Sequence, residues 1–124
     1  MLLSVTESKN IQSDLIPKIA TGFCGGISHT CGLCGAVSGA IMAIGLFTGR
    51  NNSDESLKKN YAAVQQLIRQ FEGKFESTNC KELTGCDLGT KEGMKTFKAK
   101  NLMKECSQYT EEATRMAMNI IEGE

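Results

Sequence analysis

At 124 residues the chain is of single-domain size and long enough to bury a core. Fourteen basic and fourteen acidic residues cancel, which argues against a nucleic-acid-binding arm and against an acidic tail. Tryptophan is absent and there is one proline beside six methionines, a balance that favours helix over sheet.

The opening Met1-Leu2-Leu3-Ser4-Val5-Thr6-Glu7 lacks the basic start and long apolar stretch of an export signal. Leu2, Leu3 and Val5 read as the end of a helix, and the residues up to Asn10 turn the chain. Ser13 is a candidate cap for a short helix with Pro17 in its first turn. Leu15, Ile16, Ile19 and Ala20 would form its apolar face, and Gly22 would stop it.

From Thr21 to Arg50 runs the stretch that organises the chain. It holds Cys24, Cys31, Cys34 and the single histidine, His29. A glycine-rich turn, Gly22 to Gly26, leads into an uncharged run from Cys31 to Phe47. Gly35, Gly39 and Ala43 share one stripe of that run, spaced so that another helix can approach closely. The run is shorter than the roughly 20 residues a bilayer span needs, so it reads as a buried central helix and not as a membrane insertion. Thr30 or Ser28 would cap it, placing Cys31 and Cys34 in its first turns.

Gly49 would end that helix, and Asn52 with Glu55 resembles a capping box for the next. An amphipathic helix is expected over about Ser53 to Glu76. Its stripe is Leu57, Tyr61, Val64, Leu67, Ile68, Phe71 and Phe75, with the aromatics read as core. Cys80 would sit near the start of a short helix after Ser77-Thr78-Asn79. Residues Gly85 to Gly89, with Cys86 among them, read as loop, and Thr90 to Lys100 as a solvated segment with partial helix. The last helix, about Ala99 to Ile121, would bury Leu102, Cys106, Tyr109, Ala113, Met116 and Ile120. No alternating strand pattern and no repeat appears. The expected fold is all-α, one domain over residues 1–124, a bundle of four to five helices around the glycine-rich one.

Without an export signal, six cysteines suit the reducing cytoplasm, where they serve as metal ligands or redox thiols more often than as a disulfide scaffold. A helix N-terminus favours thiolate, so Cys31 and Cys34 are expected to have lowered pKa values and to be the reacting pair. Cys31-Gly32-Leu33-Cys34 alone is a weak motif. No strand precedes it, which removes the thioredoxin-like reading, and Cys80 and Cys86 lie too far apart in sequence for a paired zinc finger. What remains is a site assembled from distant segments: Cys24, Cys31, Cys34, Cys80 and Cys106 as candidate metal ligands, with His29 a weaker candidate. Soft thiolates suit an iron–sulfur cluster, copper(I) or zinc. Taken singly, each cysteine at an apolar helical position is also a plain core residue.

Cys34-Gly35-Ala36-Val37-Ser38-Gly39 carries a Cys-Gly-Ala-x-x-Gly motif and resembles the C_GCAxxG_C_C family of redox-active proteins. The flanks Ile19-Ala20-Thr21-Gly22-Phe23 and Ala40-Ile41-Met42-Ala43-Ile44 match as well, and the similarity runs over nearly the whole chain. By that resemblance Cys80 and Cys106 are the family's third and fourth cysteines, and Cys24, Cys31 and Cys86 are additions. The family's first cysteine lies upstream of the glycine turn, where this chain has none. Either the chain starts inside that first helix, or Cys24 or Cys31 takes its place. The resemblance implies a helical domain with a redox or metal-binding role, for which an iron–sulfur cluster held by Cys24, Cys34, Cys80 and Cys106 is the expected cofactor.

Three functions follow in order: an electron-transfer protein with a thiolate-bound cluster or metal and an unidentified redox partner; a metal-free thiol–disulfide protein or sensor using Cys31 and Cys34; and a helical interaction module whose glycine stripe mediates helix contact or a homodimer. No carboxylate pair, serine–histidine set or phosphate loop points to hydrolysis.

Overall fold

A computed structural model describes residues 1–123. Among them the chain forms seven helices, one 3₁₀ turn and no strand. In order these are α1 (Leu2–Ser8), the 3₁₀ turn (Lys18–Phe23), α2 (Cys24–His29), α3 (Gly35–Thr48), α4 (Lys58–Phe75), α5 (Cys80–Thr84), α6 (Lys91–Ala99) and α7 (Met103–Ile121). The all-α class is as expected. The count exceeds four to five because the cysteine loops wind into short helices of their own, α2 and α5.

The core lies where α3, α4 and α7 meet, with α1 laid across α3 and α7. Val37, Ala40, Ala43 and Ile44 of α3 are fully buried with Leu67 and Phe71 of α4 and Ala113 and Ala117 of α7. Each such large side chain contributes about 1.5–3 kcal/mol of burial. Small residues on α3 set how close its neighbours come. A Cβ at Gly39 would lie 3.0 Å from the Met1 Cβ and 3.3 Å from the Leu2 backbone nitrogen, so a side chain there would have to push the start of α1 outward.

Several boundaries differ from the sequence reading. Cys34, not Thr30 or Ser28, occupies the N-cap of α3, so Cys31 lies outside the helix. The helix expected from Ser53 starts at Lys58, because Asn52 and Glu55 close a local turn on each other instead of capping it. Tyr61 is therefore in the first turn of α4 and 55% exposed, not core. Its neighbour Asn60 already touches Thr48, the last residue of α3, so Tyr61 stands where the bundle ends and solvent replaces a packing partner. In the 3₁₀ turn and the residues just before it, Leu15 and Ile19 are exposed while Ile16 and Ala20 pack on the core; the turn runs on through Gly22 to Phe23. The segment 91–99 is a full helix with Thr90 as its cap, and it buries Phe97. No helix among the described residues is long and apolar enough to cross a membrane.

Candidate functional site: a cavity walled by cysteines

The segment α2 has left-handed sense. Gly25, Gly26, Ile27 and Ser28 have φ of 63°, 70°, 60° and 55°, and His29 and Cys31 also have positive φ. For non-glycine residues this conformation costs about 1–2 kcal/mol each. Hydroxyls hold it: Ser28 Oγ donates to the Gly22 carbonyl at 2.8 Å and Thr30 Oγ1 to the Ile27 carbonyl at 2.7 Å. The Gly32 amide closes back onto the Gly26 carbonyl at 2.8 Å.

This left-handed turn packs against α5, and Gly26 is the contact. A Cβ there would come within 2.5 Å of the Cys80 Cβ and 3.0 Å of its sulfur. The same loops are stitched by a single antiparallel bridge between Leu33 and Asn79. The Cys34 amide donates to the Thr78 carbonyl at 2.7 Å, and the Cys80 amide to the Gly32 carbonyl at 2.9 Å. Cys34 and Cys80 each follow a bridge residue, and both line one cavity. Asn79 fixes both partners. Its Oδ1 accepts from the Glu82 amide as the cap of α5, and its Nδ2 donates to the Cys31 carbonyl at 2.7 Å.

Behind the bridge lies a cavity of about 680 Å³. Cys24, Cys34, Cys80 and Cys106 all line it, with His29 from the left-handed turn and Tyr109 from α7. Tyr109 donates its hydroxyl proton to the Leu83 carbonyl at 3.1 Å, so it is a fixed wall. Cys31 does not reach this cavity. Its thiol lies beside the Asp87 carboxylate, which raises the Cys31 pKa, while Asp87 is itself lowered, first by the Gly89 amide and then by Cys31. Cys86 is buried in the α5–α6 loop, its amide and carbonyl both bonded to the Thr84 hydroxyl. All six thiols are free.

The expected lowering of the thiol pKa values does not occur. Burial pushes Cys34 up and outweighs the pull of the Ala36 and Val37 amides at the start of α3. Neither amide makes a full hydrogen bond to the sulfur, but both face it and favour thiolate. Cys80 is raised by burial and then by Cys34 and Cys31. Cys106 is pushed up to about 11 by burial, then by Cys34 and Cys80. Cys34 thus acts on both Cys80 and Cys106, and Cys80 acts on Cys106.

A model of the family described as "Putative redox-active protein (C_GCAxxG_C_C)" matches residues 1–120. The chain belongs to the C_GCAxxG_C_C family. No curated protein and no solved structure matches it. A thiolate-bound metal or cluster is the cofactor the cysteine pattern implies, and the geometry tests that fit. Four cysteines line one cavity, yet among the described residues no three His, Cys, Asp or Glu side chains converge to hold an ion. The four thiols suit a soft metal in kind, but as placed here they form no ion site among the described residues.

Three participants escaped the sequence reading. Asp87, which sets the state of Cys31, carries no distinguishing local pattern. Gly26 is one glycine among several, and its contact with Cys80 spans fifty-four residues. Asn79 did leave a signal: Asn79 with Glu82 three residues on is the pattern of a helix start.

Proposed function

We propose that this family member is a thiol-based redox protein in which Cys34 reacts and Cys80 resolves, in a reducing compartment such as the cytoplasm. The observation that carries this reading is the position of Cys34. It is the N-cap of α3, faced by two backbone amides, and it opens into a cavity that Cys80 and Cys106 share. Helix N-termini supply the partial positive charge that a forming thiolate needs.

The co-reactant is a disulfide. The Cys34 thiolate attacks one of its sulfurs, the S–S bond breaks, and one thiolate leaves and takes up a proton. The Cys80 thiolate then attacks the Cys34 sulfur of the mixed disulfide and expels the second thiol. Two electrons and two protons pass from the two cysteines to the co-reactant. Closing the Cys34–Cys80 link requires their Cα atoms to come within about 4.4–6.8 Å. Cys31, held by Asp87 away from the cavity, takes no part in this scheme.

The test is oxidation of the reduced protein with a small-molecule disulfide, followed by alkylation and peptide mass spectrometry. The expected product links Cys34 to Cys80, and Cys34→Ser abolishes it. A Cys31–Cys34 link, or no intramolecular link, would reject the assignment.

The four-cysteine wall supports a second reading, an iron–sulfur cluster or other thiolate-bound metal serving electron transfer. It requires the sulfurs to draw together beyond their present arrangement. Anaerobic reconstitution that yields stoichiometric iron and sulfide, lost on Cys106→Ser, would favour it over disulfide chemistry.

A further inference from the structure

The cavity is far more apolar than thiol exchange requires. Besides the cysteines, its walls include Leu83, Leu88, Met94, Phe97 and Met103, contributed by α5, the α5–α6 loop, α6 and α7. Its volume of about 680 Å³ falls within the range of about 300–1,000 Å³ usual for small-molecule sites. One charged side chain, Lys98, lies on its wall. Leu88, Met94 and Lys98 also line a shallow groove that continues from the cavity along α6 past Lys91 and Lys95.

Lys91, Lys95 and Lys98 stand at i, i+4 and i+7, hence on one face of α6. All three are exposed, and none forms an ion pair among the described residues. In a chain with no net charge, this is a local concentration of unneutralised cations at the end of an apolar chamber.

We propose that the cavity binds an amphipathic organic anion, its apolar body among Leu83, Met94 and Phe97 and its anionic group at the Lys91–Lys95–Lys98 face. An apolar chamber alone would accept any greasy molecule; the lysines select one with a negative end. A bound ligand would cover Cys34 and so control which oxidants reach it. Binding itself does not depend on the thiol chemistry proposed above.

Decanoate serves as the probe, below its micellar concentration, with 1-decanol as the uncharged molecule of equal chain length. Titration calorimetry should show saturable binding of decanoate by the reduced protein and by Cys34→Ser alike. Binding should weaken about tenfold or more for decanol and for the K91Q/K95Q/K98Q variant, the scale of one lost charged contact. Decanoate should also slow alkylation of Cys34 in the native protein. The proposal is overturned by absence of saturable decanoate binding, by equal affinity of the lysine variant, or by recruitment to anionic phospholipid vesicles in place of decanoate binding. Because Cys34→Ser lacks the reacting thiol but keeps the chamber, loss of redox function and loss of ligand binding are read separately.

Discussion

Gly25 and Gly26 are adjacent, both have positive φ, and they differ in what surrounds them. A Cβ on Gly25 would meet the ring of His29, an exposed side chain that can swing away. A Cβ on Gly26 would meet the Cβ and sulfur of Cys80, which is buried and fixed by the bridge. Gly25→Ala should therefore cost only the left-handed strain, about 1–2 kcal/mol. Gly26→Ala should cost more, because overpacking adds about 1–3 kcal/mol. It should also raise the alkylation rate of Cys80 in the native state as the loops part. Urea unfolding of both variants, with timed alkylation, checks the order. Equal losses would mean that the left-handed turn does not press on α5.

At the scale of the elements, Asn79 is the joint between the two cysteine loops. Its side chain caps α5 through Oδ1 and bonds the Cys31 carbonyl through Nδ2. Asn79→Ala removes both, a loss of about 1–2 kcal/mol from the cap plus about 1 kcal/mol from the second bond. Asn79→Asp keeps an acceptor for the Glu82 amide but cannot donate to Cys31, so its loss should be intermediate. Denaturation midpoints would show this order, and a fully stable Asp variant would mean that the Cys31 bond contributes nothing.

The same joint marks what could be read from the chain. The amphipathic stripe of α4 from Val64 to Phe75 and that of α7 were legible, because period and burial agree along a single element. The four cysteines that line the cavity are among the five that the sequence groups, Cys31 being the fifth. Their arrangement was not legible, since it depends on the Leu33–Asn79 bridge and the Gly26–Cys80 contact, both between distant segments. Tyr61 misled for the complementary reason: it continues a perfect stripe past the point where a partner helix exists. The expected place of Cys31 in the first turn of the central helix fails because α3 is capped by Cys34 and Cys31 has positive φ, neither of which leaves a trace in residue spacing.

Over the whole molecule, the buried thiols link stability to pH. Cys34, Cys80 and Cys106 all have folded-state pKa values above the ordinary 9.0, with Cys106 near 11. Tyr109 is likewise raised from 10.0, by burial and then by Cys106. A group held protonated by the fold ionises more readily in the unfolded chain. Below pH 9.0 the thiols are neutral in both states, and their burial contributes fully. As pH climbs from 9.0 towards about 11, the unfolded chain loses protons that the folded chain keeps, so stability falls. Urea midpoints measured in reductant should stay level up to pH 9 and then decline. Cys106→Ser removes the most strongly raised thiol from this linkage, and its midpoints should fall less steeply over the same interval. A Cys106→Ser curve parallel to that of the native protein would show that Cys106 ionises as freely in the folded chain as in the unfolded one, and that the apolar chamber does not suppress charge on its own wall.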